Sequence, residues 1–208
     1  MRLNIILDID ETLLNAVTED LLEQIPTKDE YQILDTDMIF KLILRPHLHE
    51  FLDFLFETAN VNLWTWSDKT YAEEVAFLIT NGHPEQFKNI WSCEDVIESK
   101  KINGYSKDLN YIWSKGLDPR NTIFLDDLHT NAHNPSNIKN GIVIPSFEPF
   151  GPRLDTIRKY KSKVKDKALL KAIKLIKKIQ KTPELLPFKD PVKIAGESLK
   201  NPKKHPKN

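Results

Sequence analysis

The sequence predicts an α/β protein with a central, mostly parallel sheet flanked by helices. Short apolar runs rich in β-branched residues alternate with helical patterns over the first 150 residues, as in βαβ units. Two of these runs end in acidic pairs, at Asp8 with Asp10 and at Asp126 with Asp127. In open α/β sheets, ligands bind beyond the carboxyl ends of the strands. Both acidic strand ends are therefore candidate positions for an active site.

The first part of the chain begins the alternation of predicted strands and helices. The run Leu3–Leu7 is too short for a helix and is apolar at four of five positions, which predicts a buried strand. A helical pattern over 15–25 follows it. The stretch 31–44 has two apolar runs around a polar turn at 35–37, which predicts a hairpin or flap, and 47–57 has the apolar spacing of an amphipathic helix.

The second half repeats the alternation. Strands are predicted over 61–64, 87–92, 121–125 and 141–145, helices over 71–80 and 109–115, and a polar loop over 100–104. An amphipathic, lysine-rich helix is predicted over 154–180. We place one domain over residues 1–181 and a flexible, basic, Pro/Lys-rich tail over 182–208.

Composition excludes several classes of protein. The chain has 208 residues and 40% hydrophobic content, enough for one domain with a real core. No apolar run approaches the ~18 residues of a membrane span, and the strand pattern begins too early for a signal peptide. We therefore expect an intracellular monomer, cytoplasmic or nuclear. The single cysteine, Cys93, excludes a disulfide framework, and Ser99 stands where a thiolate phosphatase would have arginine.

The net charge of zero conceals a strong asymmetry. Residues 1–150 contain 25 acidic and 12 basic residues, whereas residues 151–208 contain 5 and 18. We favour a terminal helix packed on the acidic body, with lysine stems around its apolar stripe. The alternative is a basic helix that binds an acidic partner or an anionic membrane surface. Nucleic-acid binding is not predicted.

The acidic strand ends could perform phosphoryl-transfer chemistry. One carboxylate of the Asp8 and Asp10 pair could attack phosphorus while the other moves the proton, with a divalent cation neutralising charge. Asp126 and Asp127 could converge with them on Mg²⁺, which prefers carboxylate oxygens. The simpler interpretation is a solvated strand end with a cap. A hydroxyl at the end of strand 61–64 would lie beside Asp8 if the two strands are neighbours.

Five motifs occur in order over about residues 3 to 150. They are Asp8-Ile9-Asp10-Glu11-Thr12-Leu13-Leu14, Arg45-Pro46 with Glu50-Phe51-Leu52, Leu63-Trp64-Thr65-Trp66-Ser67, Tyr105-Ser106-Lys107-Asp108-Leu109 and Phe124-Leu125-Asp126-Asp127. Together they resemble the motifs of haloacid dehalogenase (HAD) superfamily phosphatases, in the NLI-interacting-factor-like branch of RNA polymerase II C-terminal-domain (CTD) phosphatases. The resemblance implies a Rossmann-like HAD fold with a small flap instead of a large cap.

The resemblance also implies the role of each site residue. Asp8 would be the nucleophile and Asp10 the general acid and base. Thr65 and Lys107 would hold the phosphoryl oxygens, and Thr12 would support them as a hydrogen-bond donor in the turn.

The metal and the substrate complete what the resemblance implies. Mg²⁺ would be bound by Asp8, the main-chain carbonyl of Asp10, Asp126 and Asp127. The expected activity is that of a Mg²⁺-dependent phosphoprotein phosphatase acting on phosphorylated Ser/Thr or Tyr in an accessible segment. Two alternatives stay open: a weakly catalytic or non-catalytic module that docks through its basic C-terminal helix, and a phosphatase of small phosphorylated metabolites.

Overall fold

A computed structural model describes residues 2–25, 28–149 and 165–195. Most of their helices and strands follow the order that the sequence predicts, and the exceptions are given below. In chain order the helices and strands are β1 (Leu3–Leu7), β2 (Leu14–Thr18), α1 (Glu19–Glu23), β3 (Ile33–Asp35), β4 (Phe40–Leu44), α2 (Leu48–Thr58), β5 (Ala59–Trp64), α3 (Lys69–Ile79), β6 (Phe87–Trp91), α4 (Cys93–Asn103), α5 (Leu109–Ser114), β7 (Thr122–Asp126), α6 (His129–Ala132), β8 (Gly141–Val143), α7 (Ala168–Lys181) and β9 (Val192–Lys193).

The main sheet has six parallel strands in the order β6-β5-β1-β7-β8-β9. Strand β1 lies in the middle, and its last residue, Leu7, is in register with Leu63 on β5 and Leu125 on β7. Four of the five β1 residues are buried, because helices cover both faces of such a sheet. The predicted α/β class is confirmed, and the carboxyl ends of three neighbouring strands meet at one edge.

A second, antiparallel sheet in the order β2-β4-β3 forms the flap. The hairpin predicted over 31–44 is present as β3 and β4. The helix predicted over 15–25 is wrong in its first part: Leu14–Thr18 pairs with Phe40–Leu44, and only Glu19–Glu23 is helical. Pairing with a strand some 25 residues away outweighs the local helical spacing.

The loop predicted over 100–104 is also wrong, because α4 continues to Asn103. The helix begins with a capping box between Ser92 and Asp95 and ends at Gly104, which has a left-handed φ of 82°. Its apolar spacing is weak. The helix could therefore be predicted from the capping residues at its two ends but not from its periodicity.

The C-terminal helix packs on the body, as the favoured interpretation predicts. Its apolar side is buried in the main core and α7 packs against α2, while most of its lysines are exposed. The predicted residues 154–164 lie outside the described residues. None of the helices in the described ranges is both long and apolar enough to cross a membrane.

The tail predicted to be flexible from residue 182 is wrong for 182–195. Val192–Lys193 extends the main sheet as its edge strand, and Phe188 and Ile194 are buried in the core. Because the rest of this stretch is mostly polar, the burial of its few apolar residues could not be predicted from composition. Residues 196–208 lie outside the described residues.

Candidate active site

The site lies where the parallel strands β5, β1 and β7 end side by side. Asp8 follows β1, Thr65 follows β5, and Asp126 is the last residue of β7. The backbone N–H of Asp8 donates to the carbonyl of Leu125 at 3.0 Å, so the pairing of β1 and β7 continues into the site. Lys107, which precedes α5, reaches the same edge.

Asp8 is the buried centre of the site, with 7% of its surface exposed. The Lys107 ammonium donates to its Oδ1 and, at 2.9 Å, to Oδ2 of Asp126, while Thr12 Oγ1 donates to its Oδ2 at 2.8 Å. Burial raises the pKa of Asp8 well above its usual range, and Lys107 opposes this shift. Burial disfavours the Lys107 ammonium, but the charges of Asp126 and Asp8 outweigh it and raise the pKa of Lys107. We therefore take Lys107 as protonated.

Asp10 has a different set of hydrogen-bond partners from Asp8. Its Oδ1 accepts a hydrogen bond from the Tyr71 hydroxyl at 2.6 Å. Its Oδ2 accepts one from Ser67 Oγ at 3.0 Å and a longer one from Thr65 Oγ1 at 3.4 Å. Burial, with the charge of Asp10 next, raises the pKa of Tyr71 above its usual value, so Tyr71 stays a hydrogen-bond donor.

The turn that follows Asp10 has a constrained backbone. Glu11 has a left-handed φ of 56°, which is uncommon for a residue with a side chain. Its N–H donates to the carbonyl of Leu14 at 2.8 Å, and its carboxylate accepts from Asn15 Nδ2 at 3.0 Å. Burial, followed by the charges of Asp10 and Asp127, raises the pKa of Glu11 to about 7.

Three carboxylates form a cluster suited to a divalent cation. One oxygen each of Asp8, Asp126 and Asp127 lies within 4.8 Å of the others. Burial and the charge of Asp126 raise the pKa of Asp127 to about 6. These three carboxylates outnumber the one ammonium, that of Lys107, which hydrogen-bonds to two of them, and carboxylate oxygens are ligands that Mg²⁺ accepts. The residues therefore fit the predicted metal, with the Asp10 carboxylate outside the cluster.

Three asparagines behind the site hold Lys107 and Asp126 in place. Asn131 Nδ2 donates to both carboxylate oxygens of Asp126, at 3.2 and 3.1 Å. Asn134 and Asn137 both donate to the main-chain carbonyl of Lys107. Neither Asn134 nor Asn137 was predicted to be a site residue. Their three-residue spacing after an acidic strand end was the signal that could have indicated a supporting role.

The predicted site residues all meet at this edge of the sheet, but in two groups. Thr12, Lys107 and Asp126 contact Asp8 or one another, and the N–H of Asp127 donates to Thr12 Oγ1 at 3.1 Å. Thr65, expected beside Asp8, has its hydroxyl directed toward Asp10 instead.

Two further residues, which hydrogen-bond to Asp10, come from the segment after β5. Asp68 is the N-cap of α3, since its Oδ1 accepts from the N–H of Tyr71 at 2.9 Å. Ser67 is then free to contact Asp10. Tyr71 was missed as a site residue, because a tyrosine in the first turn of a helix carries no sign of where its hydroxyl points.

The fold and the site together define a phosphatase of the HAD superfamily. The chain belongs to the family described as NLI interacting factor-like phosphatase, whose sequence model matches residues 3–186. The family resemblance predicted from the five motifs is thus confirmed.

Proteins of two viruses are similar in sequence to this chain. The chain is 31% identical over 152 residues to the CTD phosphatase-like protein 355R of Invertebrate iridescent virus 3, covering 64% of this chain and 80% of the relative. It is 27% identical over 157 residues to the protein of the same name in Invertebrate iridescent virus 6, covering 69% and 85%.

A solved structure shares the fold. Fission yeast Fcp1, an RNA polymerase II CTD phosphatase, was solved as a variant bound to beryllium fluoride. It superposes with a TM-score of 0.56 at 20% identity, covering 88% of this chain. The chain spans about half the length of that structure, 53%.

Proposed function

We propose that the protein is a Mg²⁺-dependent phosphoprotein phosphatase that acts through an aspartyl-phosphate on Asp8. The observation that carries the proposal is the buried Asp8 carboxylate held by Lys107 and Thr12 beside Asp126 and Asp127. Contact with the Lys107 ammonium orients the Asp8 carboxylate and opposes the effect of burial on its pKa, and a bound cation would further favour the ionised form that a nucleophile requires. The family and the two viral relatives support the same activity.

Two steps account for hydrolysis. An oxygen of Asp8 attacks phosphorus, the bond from phosphorus to the leaving oxygen breaks, and Asp10 gives that oxygen a proton. Asp10 then takes a proton from water, whose oxygen attacks phosphorus and releases phosphate and the free Asp8 carboxylate. Lys107 and Thr65 bind the phosphoryl oxygens and stabilise the charge that gathers there in the transition state.

The metal would be held by Asp8, Asp126, Asp127 and the main-chain carbonyl of Asp10. When bound, Mg²⁺ neutralises the charge of the carboxylates and of the phosphoryl group that must approach them. Without it, phosphate would approach the three clustered carboxylates with the Lys107 ammonium as their hydrogen-bonded counter-charge. Metal dependence is therefore part of the proposal.

A phosphorylated protein segment is the proposed substrate, as phosphoserine, phosphothreonine or phosphotyrosine. The flap is a small three-stranded sheet rather than a large cap domain. Trp66 and Leu128 follow Thr65 and Asp127 directly and are 46% and 50% exposed. Apolar side chains at the edge of the site suit contact with residues that flank a phosphorylated side chain.

The test compares wild type with Asp8→Asn on phosphopeptides, with Mg²⁺ and with a chelator. Asp53→Asn, an exposed carboxylate on α2, is the matched control. We expect Asp8→Asn to lower phosphate release on the order of a thousandfold or more, and the control to match wild type. A hydroxylamine-sensitive phosphate label should appear on wild type and not on Asp8→Asn. Equal rates for wild type and Asp8→Asn would refute the proposal.

A further inference from the structure

Arg45, which follows the flap strand β4, has its guanidinium in the interior behind the nucleophile turn. Its side chain has no exposed surface. Nη1 donates to the main-chain carbonyl of Thr12 at 2.8 Å, and Nη2 donates to the carbonyl of Pro145 at 2.6 Å and to Asp166 Oδ2 at 2.9 Å. One guanidinium thus connects the nucleophile turn, the segment after β8 and the segment that precedes α7.

Thr12 is the residue through which this connection reaches the nucleophile. Its side-chain hydroxyl donates to Asp8 Oδ2 at 2.8 Å and accepts from the N–H of Asp127 at 3.1 Å. Its carbonyl accepts from Arg45 on the other side of the same residue. A displacement of the Thr12 carbonyl would therefore also displace the hydroxyl that orients Asp8.

Asp166 holds the opposite end of the connection. One of its oxygens binds Arg45, and the other accepts from the N–H of Ala168, the first residue of α7, at 2.6 Å. Among the described residues, it is the carboxylate that pairs with Arg45. A buried guanidinium that loses its carboxylate is left uncompensated, and so Arg45 would shift when Asp166 loses its charge.

We propose that Arg45 and Asp166 form a positioning pair that orients Asp8 through Thr12 and makes the start of α7 part of the catalytic apparatus. The pair touches neither the phosphate nor the metal ligands directly. Arginine suits the position because its planar fork serves three acceptors at fixed angles, which lysine does not do. The kinetic part of this inference rests on the proposed phosphatase function.

The first test is Asp166→Asn in the full chain, which removes the charge and keeps the size. Asp118→Asn is the matched control, since Asp118 pairs with Arg120 at 2.7 Å on the surface, where the arginine is 84% exposed. We expect Asp166→Asn to lower kcat roughly tenfold with KM within about twofold, as a small misplacement of a reacting group does. Asp118→Asn should equal wild type. An unchanged kcat per folded molecule in Asp166→Asn would overturn the proposal.

A second test separates positioning from general support of the fold. In a Thr12→Val background the route through the hydroxyl is gone, so Asp166→Asn should lower kcat by less than about twofold. A tenfold loss in both backgrounds would contradict the route through Thr12. Asp166→Glu, which restores the charge, should recover part of kcat. If Asp166→Asn does not fold, Arg45→Lys, which keeps a cation but cannot serve all three acceptors, replaces it in every arm.

A third measurement needs no activity. Amide hydrogen exchange at Asp127, whose N–H donates to Thr12 Oγ1, should be faster in Asp166→Asn than in wild type and unchanged in Asp118→Asn. Exchange that stays the same in both variants would refute the structural link. If wild type released no phosphate, the proposed function would fail, and this exchange measurement would still decide whether the link exists.

Discussion

Asp8 and Asp10 are two residues apart in the sequence, yet they lie in opposite environments. Asp8 is buried, contacts the Lys107 ammonium and has Asp126 close by. Asp10 is half-buried and accepts hydrogen bonds from neutral hydroxyl groups, with Tyr71 the nearest at 2.6 Å. One of the two aspartate carboxylates thus contacts a positive charge, and the other contacts uncharged groups.

The difference suits two different tasks. A carboxylate that must stay ionised benefits from a neighbouring cation, which favours its charged form. A carboxyl group that alternates between acid and base benefits from hydroxyl groups, because a hydroxyl can donate to the charged form and accept from the neutral one. The comparison therefore supports Asp8 as nucleophile and Asp10 as proton donor and acceptor, and the predictions below test that division.

The largest expected effect is that of Asp10→Asn, and it should depend on the leaving group. Without a proton donor, release of a serine alkoxide should slow by about 10²- to 10⁴-fold. A substituted phenyl phosphate with an acidic phenol needs less help and should lose much less. Asp8→Asn should lose activity on both substrates alike. Equal losses for Asp10→Asn on both substrates would contradict its role as general acid.

A smaller effect is expected for Tyr71→Phe, which removes the shortest hydrogen bond to Asp10. Loss of one such bond is worth about 1 kcal/mol, or roughly fivefold in kcat. The change should have little further effect in the Asp10→Asn background, because Tyr71 acts through Asp10. Tyr105→Phe, which alters an exposed tyrosine, is the control. If the effects of Tyr71→Phe and Asp10→Asn on kcat were fully additive, Tyr71 would not act through Asp10.

The smallest effect concerns the stability of the metal-free protein. The pKa of Glu11 is raised to about 7 and that of Asp127 to about 6, while unfolded carboxyl groups titrate near pH 4. A group with a raised pKa stabilises the fold while protonated, and this contribution is lost as the pH rises through the folded-state pKa. The melting temperature in chelator should therefore fall between about pH 5 and pH 7.

Two controls accompany the pH series. Glu11→Gln should make the fall shallower, since one of the titrating groups is gone. Saturating Mg²⁺ should also reduce it, because the cation favours the ionised form of Asp127. A melting temperature that rises over the same interval in chelator would show that these carboxyl groups are not protonated in the fold.

The α/β class and the edge of the sheet where the site lies could both be predicted from the sequence pattern. Buried parallel strands are short, continuous apolar runs, and polar residues directly after them must lie at the carboxyl edge. Asp8, Asp10, Asp126 and Asp127 could therefore be placed from local pattern. Lys107 could be identified only through the family motif, since an isolated lysine resembles any solvated one.

The hydrogen-bond partners of the site residues could be identified only from the tertiary structure. The three asparagine amides, the Tyr71 hydroxyl and the Arg45–Asp166 pair join residues that lie up to 121 positions apart, and local periodicity contains no information on such contacts. The same reason explains why 14–18 is a strand and why 192–193 completes the sheet: their conformation is set by pairing with distant backbone rather than by their own spacing.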